Sequence, residues 1–118
     1  LNVADKDKAE RWYTRYLNMT VARSVPGQKS FLADPTGRVC LELYSNDSAE
    51  KLDFDRYHPL ALHLAFHVRD VEAAAEDLLN AGATVEEAMK EVSGDQMMML
   101  RDPFGLAIQL VHRRNPMF

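Results

Sequence analysis

Cysteine is nearly absent. Cys40 stands alone, so no disulfide can close within the chain, and a reducing compartment is expected. Basic runs are absent as well: nothing is longer than Arg113-Arg114, and 14 Lys+Arg against 18 Asp+Glu leave a net charge of −4. That balance argues against a nucleic-acid or anionic-membrane surface as partner. No apolar run approaches the roughly 20 residues of a membrane span, and no secretory signal is read. The expected location is therefore the cytoplasm. The chain opens at Leu1 inside what reads as an apolar strand, so further residues upstream are expected.

What remains is an ordinary globular composition, 47% hydrophobic and 27% charged over 118 residues, which fits one domain with a sizeable core. Within it two stretches repeat one device. Asp102-Pro103-Phe104-Gly105 leads into Leu106-Ala107-Ile108-Gln109-Leu110-Val111, and Asp34-Pro35-Thr36-Gly37 leads into Val39-Cys40-Leu41-Glu42-Leu43-Tyr44. Each is a turn followed by an apolar strand holding a single polar residue, Gln109 in one and Glu42 in the other.

The segments between follow the same order twice. Leu1-Asn2-Val3 reads as the end of a strand, and Asp5 or Asp7 can cap a following helix. Ala9, Trp12, Tyr13, Tyr16 and Leu17 fall on one face of that helix, with Lys6, Lys8, Glu10, Arg11 and Arg15 on the other. Asn18 ends it. Strands are expected over 20–25, 30–33 and 39–44, and residues 45–59 read as polar and irregular. In the second half, 61–68 is strand-like and Asp70 caps a helix carrying Val71, Ala74, Ala75, Leu78 and Leu79. Gly82 closes that helix, and strands follow over 84–88, 96–100 and up to His112. The tail 113–118 reads as loosely held. Val3 matches Val68, Asp5 matches Asp70, and Glu42 matches Gln109, at offsets drifting between 64 and 68. Such self-similarity marks a duplicated unit. The fold expected is α+β: two tandem βαβββ modules forming a curled mixed sheet with helices outside, in a single domain over 1–118. Module one covers 1–46, the connection 47–59 and module two 60–114.

Period-two alternation along Leu62-His63-Leu64-Ala65-Phe66-His67-Val68 places His63, Ala65 and His67 opposite the apolar face. By the same rule Glu42 and Gln109 point away from their apolar neighbours. If each half curls with its helix outside, His63, Glu42 and Gln109 converge and offer one imidazole nitrogen and two oxygens, a set suited to a borderline divalent metal. The repeat places the counterpart of His63 three residues upstream of Leu1, where a fourth ligand is expected. Glu42 in an apolar strand needs a metal, a cation or water, because an unpaired buried carboxylate is costly. His67 lies about 13 Å along the strand from His63 and reads as solvent-facing or at a pocket rim. His58 and His112 read as structural or solvated. Met97 and Met99 share a face opposite Met98, and methionine suits an adaptable apolar pocket.

The paired βαβββ halves, His63-Leu64-Ala65-Phe66, the Asp70 helix ending in Ala81-Gly82-Ala83, and Asp102-Pro103-Phe104-Gly105 before Ile108-Gln109-Leu110 resemble the vicinal oxygen chelate superfamily. That group includes glyoxalase I, bleomycin-resistance proteins and extradiol dioxygenases. The resemblance covers nearly the whole chain. It implies a divalent metal (Zn, Ni, Co, Mn or Fe) held by Glu42, His63, Gln109 and an upstream residue, with Glu42 also the proton-transfer base. It implies a small-molecule substrate and a homodimer. The reading it favours is a glyoxalase-type lyase or isomerase acting on a small oxygenated substrate by enolate stabilisation. The alternative is a metal-free small-molecule binding protein of the bleomycin-resistance kind, and a weaker one is an extradiol-type dioxygenase. Gln109 departs from the carboxylate usual on the last strand, which counts against the dioxygenase and leaves the reaction open.

Overall fold

The structure, a computed structural model, describes residues 1–117 and divides into two compact units, residues 1–52 and the residues from Asp53 onward. In the first, α1 (Lys6–Tyr16) forms because Asp5 accepts from the Lys8 N–H at 3.0 Å, satisfying a free helix-end donor. Its stripe of Ala9, Trp12 and Tyr13 is buried, with the two aromatic rings edge to face at 5.5 Å. Asn18 at φ 55 turns the chain out of the helix. The antiparallel strands β1 (Thr20–Val25), β2 (Lys29–Ala33) and β3 (Cys40–Tyr44) then form a three-stranded sheet in sequential order. Ahead of α1, Asn2 bridges Tyr44 in parallel, with the Val3 N–H donating to the Tyr44 carbonyl at 2.7 Å.

The second unit repeats the plan at full length. β4 (His63–His67) is followed by α2 (Val71–Asn80), capped by Asp70 on the Ala73 N–H at 3.0 Å and closed at Gly82 with φ 101. β5 (Thr84–Val92), β6 (Asp95–Arg101) and β7 (Ala107–His112) complete a four-stranded mixed sheet in the order β4-β7-β6-β5. β4 and β7 are parallel, with α2 in the connection that parallel pairing requires. The residues of β7 and β6 under α2 (Leu100, Ile108 and Leu110) are fully buried. The α+β class and the duplicated βαβββ order are as expected. Among the described residues no helix is long and apolar enough to cross a membrane.

Three expectations shift. β5 runs to Val92 rather than 88, because two bulges let a long edge strand follow β6, and Ser93-Gly94, both with positive φ, close the hairpin. The connection is not wholly irregular: Phe54–Arg56 is a 3₁₀ turn with Phe54 buried. The tail is tied in part, since Asp95 takes Arg113 Nη1 at 2.7 Å and the Arg114 N–H at 2.9 Å, while Phe118 lies outside the described residues.

Lys6 departs furthest from its expected solvent-facing place. It is 1% exposed, its Nζ held by Asp7 at 2.6 Å, Ser30 Oγ at 2.9 Å, and Ser24 Oγ and Glu10 Oε2 at 3.1 Å. Ser30 Oγ also donates to Glu10. Burial works against the ammonium, but its hydrogen bonds to Asp7 and Glu10 outweigh it and leave Lys6 above its ordinary 10.5. Burial likewise works against the Glu10 carboxylate, and its bonds to Ser30, Lys6 and Ser24 hold it below 4.5. Glu10 therefore adds stability that is complete above about pH 4.5 and is lost as pH falls through its lower folded value. Lys6 adds stability below pH 10.5 that is lost as pH rises through its higher one. Lys6→Met should lower the unfolding free energy in urea at pH 7 by roughly 2–3 kcal/mol. This lies just below the ~3–5 kcal/mol of a fully buried broken pair, because Glu10 keeps 22% of its side chain in water. The Lys6→Met/Glu10→Gln double variant should lose less than the sum of the two singles. An additive result would show that the pair does not act as one unit.

Candidate functional site

The two Asp-Pro-x-Gly turns use one mechanism. Asp102 Oδ1 accepts from the Phe104 and Leu106 N–H groups at 2.8 and 2.9 Å, and Asp34 Oδ1 accepts from Arg38 and Val39 at 3.1 and 3.0 Å. Gly37 and Gly105 supply the positive φ values of 69 and 93. The Asp34 turn is one residue longer, which accounts for the drift in offset between the turns and their strands. Each turn delivers its strand in a fixed register, and the register places the polar residue.

In the second unit His63 pairs with Ala107 and Ala65 with Gln109. Partners across a ladder share a face, so His63 and Gln109 lie on the same face of adjoining strands, about 8 Å apart at Cα by strand geometry. Met99 sits opposite Gln109 on β6 and Met97 opposite Val111, so both thioethers share that face. His63 and Gln109 are each half-buried. The imidazole is fixed by one contact: Nδ1 lies 2.6 Å from the Pro59 carbonyl oxygen. A carbonyl can only accept, so Nδ1 carries a proton, and in the neutral ring Nε2 is the nitrogen that keeps its lone pair. That is the tautomer a metal ligand or hydrogen-bond acceptor needs, oriented in the way ligating histidines are oriented by an outer partner.

In the first unit Glu42 occupies the position equivalent to Gln109, on the open face of β3 and opposite Phe31 on β2. It is half-buried rather than enclosed, and its partner is Tyr44, two residues on and so on the same face. The Glu42 carboxylate beside the Tyr44 hydroxyl, ahead of burial, pushes the phenol above 10.0. The need for a partner is thus met in part by a residue that alternation alone did not single out. The Leu1 amino group donates to the Glu42 backbone carbonyl at 2.7 Å.

The described residues bring together no group of three or more His, Cys, Asp or Glu side chains. His63 and Gln109 share one face, and their nitrogen and amide-oxygen donors fit a borderline divalent ion. The other histidines differ in place: His58 precedes β4, His67 ends it, and His112 lies on the face of β7 opposite that of Gln109. His58 Nδ1 accepts from the Leu60 N–H at 3.1 Å, and His112 Nδ1 lies 3.1 Å from the Val68 carbonyl. His67 is exposed, with its ring 5.7 Å from that of His112. A depression of about 430 Å³ lined by Arg69, Asp70, Glu72, Met89, Gln96 and His112 contains none of the expected site residues.

Arg101 is the residue that sequence reasoning passed over. It is 8% exposed and lies across Ala107 from His63, on the same row. Its Nε donates to Glu86 at 3.0 Å, Nη1 to the Phe54 and Gly105 carbonyls at 3.1 and 3.0 Å, and Nη2 to the Tyr57 carbonyl at 2.9 Å. The Glu86 carboxylate is held below its ordinary range chiefly by this guanidinium. The only sequence cue was a lone arginine ending an apolar strand.

A family model described as Glyoxalase/Bleomycin resistance protein/Dioxygenase superfamily matches residues 1–110. No match to a curated protein was found. Among solved structures, the chain is similar to a hypothetical protein, SA1046, from S. aureus (TM-score 0.73, 17% identity, 96% of this chain and 89% of that one). It is also similar to a glyoxalase-related enzyme from Fulvimarina pelagi (0.72, 17%, 96% and 84%) and to a lactoylglutathione lyase from Agrobacterium tumefaciens (0.68, 20%, 95% and 88%). At these identities the likeness is one of fold.

A Cβ added at Gly105 would lie 2.7 Å from the Asp55 carboxyl carbon, at a backbone φ of 93. Asp55 is exposed and can swing aside, so the backbone carries most of the penalty. Gly105→Ala should cost about 1–2 kcal/mol, and adding Asp55→Ala should return less than half of it. Full recovery in the double variant, measured by urea unfolding, would show that the contact and not the left-handed backbone sets the requirement for glycine.

Proposed function

The chain belongs to the glyoxalase/bleomycin resistance protein/dioxygenase superfamily, and within it we propose a glyoxalase-type lyase or isomerase that moves a proton on the carbon beside a carbonyl of a small oxygenated substrate. The observation that carries this reading is the His63 imidazole, whose Nδ1 is committed to the Pro59 carbonyl and whose Nε2 is left available on the face that Gln109 shares. His63, Gln109, Glu42 and the residue three places upstream of Leu1 would hold a divalent ion, Zn, Ni, Co, Mn or Fe. When bound, it supplies Lewis-acid stabilisation of the enolate oxygen.

The chain's own residues account for the proton. Glu42 is the acceptor: its carboxylate takes the proton from the carbon and returns it to that carbon or its neighbour. Tyr44 holds the carboxylate in place through its hydroxyl. Gln109 orients the substrate by an amide bond or serves as a neutral ligand. Met97 and Met99 offer the substrate an adaptable apolar bed. The protein is proposed to be cytoplasmic, in keeping with its single cysteine, and homodimeric.

A second reading rests on a different observation. Gln109, an amide where a carboxylate is usual, faces a methionine pair, which suits a metal-free protein that sequesters a small apolar or aromatic molecule. Metal analysis separates the two. In a preparation extended upstream of Leu1, the first reading expects one ion per chain and at least a tenfold loss of affinity in His63→Ala. It also expects Glu42→Gln to lose exchange of the substrate α-proton with deuterated solvent. Metal content unchanged in both variants, with a melting temperature raised by an aromatic ligand alone, would move the assignment to the second reading. Retention of Fe(II) with ring-cleaving activity would move it to the dioxygenase.

A further inference from the structure

We propose that Arg101 is a positioning residue for His63, acting through the 54–59 segment; this rests on the reading that His63 Nε2 is a working donor atom. Burying a guanidinium is costly unless its donors are met, and here three of the four acceptors are backbone carbonyls. Two of them, Phe54 and Tyr57, bracket the 3₁₀ turn that precedes His63 in the chain. Arg101 thus clamps the incoming segment onto the end of β6 and β7, with the Gly105 carbonyl as the fixed point on the sheet.

Little slack remains between the clamp and the imidazole. Residues 58–62 form a closed turn in which the His58 carbonyl accepts from Ala61 and Leu62 at 2.8 and 3.2 Å, and His58 Nδ1 accepts from Leu60. Pro59, buried and with its φ set by its ring, presents its carbonyl to His63 Nδ1. The residue directly opposite His63 on the sheet is Ala107, whose side chain has no polar atom to offer the imidazole. A relay therefore runs from Arg101 to the Tyr57 carbonyl, through the rigid 58–62 turn, to the Pro59 carbonyl and the His63 ring. What it sets is which ring nitrogen holds the proton.

The tautomer is readable without metal. In the full chain with ¹⁵N-labelled histidine, at about pH 8.5 where an ordinary imidazole is neutral, long-range ¹H–¹⁵N correlation should show His63 protonated on Nδ1. His112 should show the same tautomer because of Val68, and His58 the opposite one because of Leu60, giving two internal controls. In Arg101→Lys and Arg101→Met, His63 should pass to a mixture of tautomers while His112 keeps its own. If those variants fail to fold, insertion of two glycines between Tyr57 and His58 keeps the clamp and cuts the relay, and should loosen the His63 tautomer in the same way. Zn²⁺ affinity should fall about 10–100-fold in parallel. A His63 that keeps Nδ1–H in every folded variant overturns the inference. A tautomer that loosens as stated in a chain that binds no Zn²⁺ supports the positioning role and sinks the metal reading instead.

Discussion

The parallel pairing of the first strand of each unit with its last is the constraint on which the site depends. In the second unit it runs over five residue pairs, from His63–Ala107 to His67–Val111, and ends with the Val68 N–H on the Val111 carbonyl at 2.9 Å. In the first unit it is the bridge between Asn2 and Tyr44, with the Val3 N–H on the Tyr44 carbonyl. Parallel strands need a long crossover, and α1 and α2 fill that role. Their apolar stripes choose the face on which they pack, and the remaining face is left to the polar residues. His63 and Gln109 share that face because the register allows nothing else.

Each unit adds one buried cation to this frame, and the two serve different ends. Lys6 sits between α1 and its sheet and is met by side chains from Asp7, Glu10, Ser24 and Ser30, so it ties helix to sheet. Arg101 lies on the other kind of face and is met mainly by main-chain carbonyls, so it ties the chain entering the second unit to the sheet. Its planar fork suits three carbonyls held at fixed angles, which a flexible ammonium would not satisfy together. In both cases the stability of the charge depends on its whole set of partners, so removing one member costs more than that member's own bond.

The duplicated plan was legible because its markers are local. An aspartate that accepts from the turn backbone, a proline and a glycine with positive φ can be read from four residues, and strand alternation follows from the period of the backbone. The faces of His63, Glu42 and Gln109 were legible for the same reason. Lys6 was not, because a helical wheel gives direction and not what stands opposite; Ser24 and Ser30, polar on the strand face toward α1, were the available cue. Arg101 showed only as a lone arginine ending an apolar strand, and what it and His63 bond to was not legible, since most of those acceptors are carbonyl oxygens that every residue carries. The length of β5 depended on bulges that have no residue signature here.

The Pro59 carbonyl holds the His63 ring by its Nδ1, on the face that His63 shares with Gln109. X-ray absorption at the zinc edge of the Zn-loaded protein reads whether Nε2 is thereby a metal donor. The account predicts imidazole nitrogen at about 2.0–2.1 Å with oxygen donors around it, and one imidazole fewer in His63→Ala. An unchanged imidazole count in that variant, or a zinc shell of water oxygens alone, would contradict it.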